Sequence, residues 1–584
     1  MVSDVKDEFR PEPGNPQPAA ASVEDDTSIV QADRADGEPP GGPDIGSSGG
    51  RRPTLAVVAA TMLFFGVCMS FLINTPTGIG PDEPYHFDRV IAAWHGQVIL
   101  DPAEINVSKG GRGIEHTYIK TQMREGAASW AEFQPLPRDQ RPSLRELGGN
   151  TRSPQRDVSN YITQHPPLYY GLMGGLTWLV PGAEDMPADA LFLLVRMFNV
   201  LLLVPLPLLF DCSARWLVGS GPVAAAAAFL PLLVPGLARA AAQVNNDNLA
   251  IVLGAAIVAF SIKVMRGDRS VRTAAVLSGL AVAGSLTKAT VLFVLPIIAI
   301  AYALQAVRAR RWPAPRVLGV LVVGGLAASA WWVRNLVLFG AVQPDAWGTQ
   351  FARAQGLVRP PDVPVDMNFY WHTIYNAVPS RFFGALGLLD PPQLPGPMVG
   401  ILSVLLVACI PIAIVAMRGR RWEMVVIAAI PVGALAMMSF QAYRHYLSYL
   451  AIPGLQGRYA YPAVFGLLFP IAVVLGLILR RALRWAPLVV AVGGLLVSGW
   501  AVYTSVEYTW LPRGEQLQPS TWAQAFRSLA GFFPLPGAVT ATLAVLVAGL
   551  LVAGTGMTVL ACARDTSPLT TDPPPVAARP AVYA

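Results

Sequence analysis

The chain has 584 residues, of which 53% are hydrophobic and only 14% charged. That is too little charge to cover the surface of a soluble protein of this size. The net charge of +6 does not point to nucleic acid, because the lysines and arginines fall in short clusters between apolar runs, where they orient a membrane protein. Cys68, Cys212, Cys409 and Cys562 sit in or beside apolar segments without paired spacing, which argues against a disulfide framework or a cysteine metal site.

Residues 1–50 are rich in Pro, Gly, Ser, Asp and Glu. Such a segment cannot bury enough apolar surface to offset the entropy of ordering, so an acidic, disordered tail is expected. The first apolar run begins near Thr54, too far along for a cleavable signal peptide, and reads as an uncleaved span. A bilayer core about 30 Å thick needs roughly 20 apolar residues per helix. On that measure the expected fold is an all-α polytopic transmembrane bundle of about twelve spans: 54–74, 189–211, 219–238, 247–265, 272–287, 289–306, 317–338, 397–417, 423–440, 459–479, 486–505 and 538–562. A second disordered tail is expected over 565–584, with Pro573, Pro574 and Pro575.

Basic residues orient these spans. Arg51 and Arg52 precede the first. Later clusters are Lys263, Arg266, Arg269 and Arg272, then Arg308, Arg310, Arg311 and Arg316. Arg418, Arg420 and Arg421 follow, then Arg480, Arg481 and Arg484, and finally Arg564. With the spans above every cluster falls on one side, which the positive-inside rule makes cytoplasmic, together with both termini. The outer face then holds the segments 75–188, 339–396 and 507–537, and a shorter one at 441–458. This requires that 166–181 does not cross. Pro166, Pro167, Gly171, Gly174 and Gly175 make it a juxtamembrane or re-entrant helix on the outer face.

Placed on this topology, the unusual polar residues gather at the outer ends of helices. In Pro81-Asp82-Glu83-Pro84-Tyr85-His86-Phe87, two adjacent carboxylates near a membrane surface are costly to desolvate unless paired or metal-bound. Asp82 or Glu83 could act as general base on an acceptor hydroxyl, or the two could hold a divalent metal. An acidic helix N-cap with Pro84 near the first turn explains the carboxylates but not His86. In Gln456-Gly457-Arg458-Tyr459, an arginine at a helix mouth suits a phosphate, while an interfacial Arg–Tyr anchor is the plainer account. Asn245, Asn246 and Asp247 in Gln243–Asn248 suggest a lined polar cavity rather than a cap alone. Lys288 lies between two apolar halves, where an ammonium needs a partner or water. Arg334 and Asn335 end a span, and His165 precedes the juxtamembrane helix; they complete the candidate substrate-binding set with His86, Arg458 and Tyr459.

Taken in order, these motifs resemble the glycosyltransferase C superfamily, and within it a large bacterial family of predicted membrane proteins. That family carries Asp-Glu-x-x-His-Phe after its first helix and Gln-Gly-Arg-Tyr-x-x-Pro near its C-terminal helices. Both occur here, at 82–87 and 456–462. His165-Pro166-Pro167-Leu168-Tyr169-Tyr170, Asn245-Asn246-Asp247 and Arg334-Asn335 also match, so the resemblance covers roughly 54–505. It implies a polyprenyl-phosphate sugar donor, inverting transfer, and an active site in the first outer loop. Asp82 or Glu83 would be the base or metal-binding carboxylate and Arg458 a donor-phosphate ligand. The expected acceptor is a glycan, lipid or protein of the bacterial envelope, outside the plasma membrane. The sequence departs from some members in having no large soluble C-terminal domain. A flippase or transporter of lipid-linked glycans, with polar groups near mid-membrane, and a non-catalytic assembly protein are the rival readings.

Overall fold

A computed structural model of the chain describes residues 54–564 apart from 103, 121–128, 154–158, 345–355, 385, 387–392, 450–451 and 453–454. Both expected tails lie outside the described residues. Those described are helical, and their β-pairing is confined to three isolated bridges. The first span is α1 (Leu55–Asn74), 20 residues long and so about 30 Å, the depth of a bilayer core. It leads through the turn 75–82 into α2 (Glu83–Trp94) and later α3 (Leu168–Trp178). The bundle continues with α4 (Ala188–Leu203), α5 (Leu206–Val218), α6 (Asp247–Met265), α7 (Val271–Ser285), α8 (Pro296–Ala309) and α9 (Pro315–Phe339). After α10 (Met367–Phe383) come α11 (Gly396–Ala416), α12 (Arg421–Ser448), α13 (Phe465–Leu479), α14 (Ala486–Trp510), α15 (Trp522–Phe532) and α16 (Gly537–Arg564).

Nine helical segments among the described residues are long and apolar enough to cross a membrane. They contain ten of the twelve expected spans, because the 46-residue run Phe465–Trp510 holds two, parted at Arg480 where φ is +36°. Of the remaining two, α7 has 15 residues and is short. The other is a correction: 219–238 is not one helix but three pieces, Pro222–Ala227, Leu230–Leu233 and Pro235–Ala241. Pro222, Pro231 and Pro235 each lack the amide hydrogen that would continue the preceding turn. The pieces are buried, so their apolar character serves the protein core rather than lipid. Helix α3 has 11 residues, roughly 17 Å, too short to cross, in keeping with a juxtamembrane element.

Helix α6 relates the two ends of the bundle. Its first residue, Asp247, meets Lys288 and Arg458. Nineteen residues later, about 28 Å along the axis, Arg266 meets buried Glu423 of α12, which also takes Arg308 of α8 at 2.7 Å. One end is therefore a basic rim closed around Glu423, and the other carries the polar motifs. Close approach fixes the segment Gly457–Ala463 against α6: a β-carbon on Gly254 would stand 2.4 Å from the Pro462 carbonyl oxygen. The first loop is clamped by buried Asp88, which accepts from the Ser108 amide at 2.9 Å, Arg152 at 2.9 Å and Asn160 at 2.8 Å.

Candidate active site

Segments far apart in sequence meet around a cavity of about 620 Å³ at the polar end. Its walls include Asp82, Tyr85 and His86 at the start of α2, Tyr161 and His165 before α3, and Lys288 before α8. Met438, Gln441 and His445 of α12 close one side, and Gln456, Arg458 and Tyr459 another.

Asp82 holds a left-handed backbone, φ +58°, which costs a residue with a β-carbon about 1–2 kcal/mol. Such strain persists where surroundings over-determine it, often at functional sites. The side chain makes no capping bond to α2, so a helix cap does not account for it. It is exposed to the cavity and accepts from the Tyr161 hydroxyl at 2.6 Å. Glu83 is a correction. It is fully buried and absent from the cavity wall. One carboxylate oxygen accepts from Arg196 Nε at 2.8 Å and the Val244 amide at 2.9 Å, the other from an Arg196 amino group and the Gly80 amide, both at 2.7 Å. With its lone pairs filled it can neither take a proton from substrate nor bind a metal; it pins the turn that presents Asp82.

His86 and His165 stack in parallel, 5.9 Å apart. His86 Nδ1 meets the Tyr170 hydroxyl at 2.8 Å, and Arg89 lies over the Tyr170 ring at 5.0 Å. Burial, and then the charges of His165, Lys288 and Arg458, hold His86 well below the usual imidazole range. Burial and Lys288 lower His165 to about 3. Both rings are neutral at physiological pH and offer the cavity hydrogen-bonding nitrogens without charge.

Lys288 Nζ lies 2.8 Å from one oxygen of Asp247 and 5.6 Å from the centre of the Tyr459 ring. Arg458 Nε stands 3.2 Å from the other Asp247 oxygen, in Coulombic contact rather than aligned as a hydrogen bond. Both cations line the cavity, while Asp247 stays behind them. The asparagines also lie behind the wall: Asn245 accepts from the Asp247 amide at 2.9 Å, and Asn246 donates to the Thr287 carbonyl at 3.2 Å. Their work is to hold the start of α6 against the Thr287–Lys288 turn. Arg334 and Asn335 are not at the cavity wall. Arg334 pairs with Asp101 of the first loop, and Asn335 donates to the Val342 carbonyl at 3.3 Å.

Three residues escaped sequence reading, and a fourth, Tyr170, entered it only as the end of the His165–Tyr170 motif, without a role. Tyr161 and Tyr170 orient Asp82 and His86, while Arg196 and Arg239 are buried cations behind the wall. A charged residue inside an apolar run, as Arg196 is, was the available signal. In this buried cluster Arg196, Arg239, Lys288 and Arg458 face the two carboxylates of Glu83 and Asp247. The positive excess opens on the cavity through Lys288 and Arg458, and the charge of Asp82 reaches both. Among the described residues no three His, Cys, Asp or Glu side chains cluster to hold a metal ion. Of the expected carboxylate pair, Glu83 is committed to Arg196 and Asp82 alone faces the cavity.

The family model for predicted membrane proteins, DUF2142, matches residues 63–467, while no curated protein matches the chain. Among solved structures the chain is similar to ArnT from Cupriavidus metallidurans in the apo state, with 15% identity, TM-score 0.40, and coverage of 86% of this chain and 76% of that one. It is also similar to the Archaeoglobus fulgidus oligosaccharyltransferase with zinc and sulfate, at 13% identity and TM-score 0.39, covering 84% of this chain and 57% of that one. For AglB of the same organism with an inhibitory peptide and a dolichol-phosphate, identity is 13% and TM-score 0.37, with 87% and 55% covered.

Proposed function

The chain belongs to the DUF2142 family of predicted membrane proteins, and from that premise we propose that it is a membrane glycosyltransferase of the glycosyltransferase C type. It moves a sugar from a polyprenyl-phosphate donor to an envelope glycan, lipid or protein on the outer face of a bacterial plasma membrane. One observation carries the reading: Asp82, which with Glu115 supplies the carboxylates of the cavity wall among the described residues, shares that cavity with two cations, Lys288 and Arg458, that belong to a cluster with excess positive charge. Transfer needs this pairing. Asp82 takes the proton of the acceptor hydroxyl as its oxygen attacks the anomeric carbon. The bond from that carbon to the phosphate oxygen breaks, and its electron pair leaves on the phosphate. The leaving group thereby gains negative charge, which fixed cations stabilise more than they stabilise the donor. Attack from the side opposite the phosphate inverts the anomeric centre.

The outer-face placement rests on the basic rim around Glu423, which the positive-inside rule puts in the cytoplasm. A transporter or flippase would place its polar groups near mid-membrane, whereas here they gather at one end of α6. The test is transfer from a panel of purified polyprenyl-phosphate sugars by the detergent-purified chain. Asp82→Asn should lower the rate by about 10²–10⁴ without loss of folded protein. Arg458→Lys, which keeps charge but loses the guanidinium fork, should weaken donor affinity more than stability. Full activity of Asp82→Asn on the true substrate would rule out the assignment.

A further inference from the structure

Helix α9 carries a second constellation, whose charged end lies remote from the cavity. Two apolar clefts flank its contact with α7, and Ser278 lies in both walls. One, of about 550 Å³, is lined on α9 by Arg316, Gly319, Val320, Val323 and Ala327. The other, of about 600 Å³, is lined by Leu318, Leu321, Gly325 and residues onward to Leu336, with Trp312 and Pro313 at its base. At 100° per residue these two sets lie on opposite faces of the helix. The first cleft runs roughly 17 Å along the axis, about one leaflet, and the second roughly 27 Å.

Both clefts start at the same place, the N-terminus of α9. There Arg310, Arg311 and Arg316 are exposed, and Trp312 is 72% exposed. Arg269 reaches in to donate to the Arg311 carbonyl at 2.6 Å. The acidic groups at this end are already engaged: Asp268 by Lys263, and Glu423 by Arg266 and Arg308. Among the described residues, then, Arg310, Arg311 and Arg316 have no carboxylate partner, and the free amides of a 25-residue helix add positive potential beside them. An indole at the interface and unpaired guanidiniums above paired apolar clefts match the headgroup and the two chains of an anionic lipid.

We propose that this end of α9 binds one anionic diacyl phospholipid, with a chain in each cleft and its phosphate on Arg311 and Arg316. The headgroup end of the site is the end of α9 away from the cavity, while the second cleft runs along the helix to Leu336, and the proposal rests on no catalytic role. It ties a lipid of defined charge to the helix that carries Gln343 and Pro344 to the cavity wall.

The clefts can be filled without collision. A β-carbon on Gly319 or on Gly325 meets no atom within 4 Å, so a leucine at either position extends into the space of one acyl chain. The experiment is native mass spectrometry of the full chain, purified in mild detergent, with phosphatidylglycerol or phosphatidylcholine added. The wild type should retain one phosphatidylglycerol with at least tenfold preference, and the preference should shrink as salt rises. Arg311→Gln with Arg316→Gln should abolish the preference. Gly319→Leu and Gly325→Leu should each lower retention about tenfold. Equal retention of the two lipids by the wild type would overturn the proposal, whatever the variants do. So would full phosphatidylglycerol retention by the folded arginine variant or by both leucine variants, or a protein dimer in place of bound lipid.

Discussion

Asp82 and Glu83 are neighbours in sequence, and their environments set opposite expectations for the same kind of substitution. Glu83→Gln removes the charge from a fully buried pair and leaves the Arg196 guanidinium uncompensated. Breaking one side of such a pair typically costs about 3–5 kcal/mol. Glu83→Gln should therefore lower the midpoint of thermal unfolding in detergent and the yield of monodisperse protein, whereas Asp82→Asn should leave both near wild type. Equal stability of the two variants would contradict the division of labour drawn here. The histidine pair makes a second prediction. His86 titrates well below 6.5 in the folded state because it is buried, while in the unfolded chain it protonates near 6.5. The unfolded state thus binds the extra proton first, and stability is lost as pH falls below about 6.5, at roughly 1.4 kcal/mol per pH unit for one such group. Unfolding midpoints at pH 7.5 and 5.5 should differ in the wild type and differ less in His86→Gln. An unchanged pH slope in that variant would show that other groups govern the effect.

At the scale of elements, the segment Gly457–Ala463 reaches the cavity because two helices let it in. It packs on α6 at Gly254 and leads into α13 beside α12, where a β-carbon on Gly466 would meet the Ile427 carbonyl oxygen at 1.8 Å. Gly254→Ala has backbone, not a flexible side chain, to push against at Pro462. The segment must shift, and with it Arg458 and Tyr459. Overpacking of this kind costs about 1–3 kcal/mol, and a displacement near 1 Å at a positioned group can cost about 10² in rate. Gly254→Ala should thus lose far more transfer activity than Gly549→Ala, whose β-carbon enters open space. Similar activity in the two would mean that the segment does not position the site.

For the whole molecule, the decisive quantity is which way the bundle faces. Asp82 and Arg458 belong to one end and Arg269 and Arg420 to the other, about 28 Å apart along α6. If the basic rim is cytoplasmic, single cysteines introduced beside Asp82 and beside Arg458, in a chain freed of its own four, should react with impermeant thiol reagents in intact cells. Cysteines beside Arg269 and Arg420 should stay protected until the membrane is opened. The reverse pattern would put the cavity in the cytoplasm and remove the basis for an outer-face acceptor.

Much of this architecture follows from local sequence. A hydrocarbon layer demands about twenty contiguous apolar residues with every backbone group satisfied within the helix, so composition alone delimits most spans, as with α6 over Asp247–Met265. The positions of the prolines even contain the break in 219–238, although their effect became legible once the three pieces were seen to be buried. The residues around the cavity were also legible in part, since a polar group inside or beside an apolar run is costly without a purpose. Asp82, His86, His165, Lys288, Arg458 and Tyr459 do line one cavity. What sequence could not decide was the direction of each side chain. Glu83 turns inward because Arg196 awaits it 113 residues later. Arg334 turns to Asp101, and Asp247 stands behind two cations drawn from separate turns. These are long-range pairings between charges, and the partner that wins is set by which helices pack together, a property of the folded chain rather than of any segment in it.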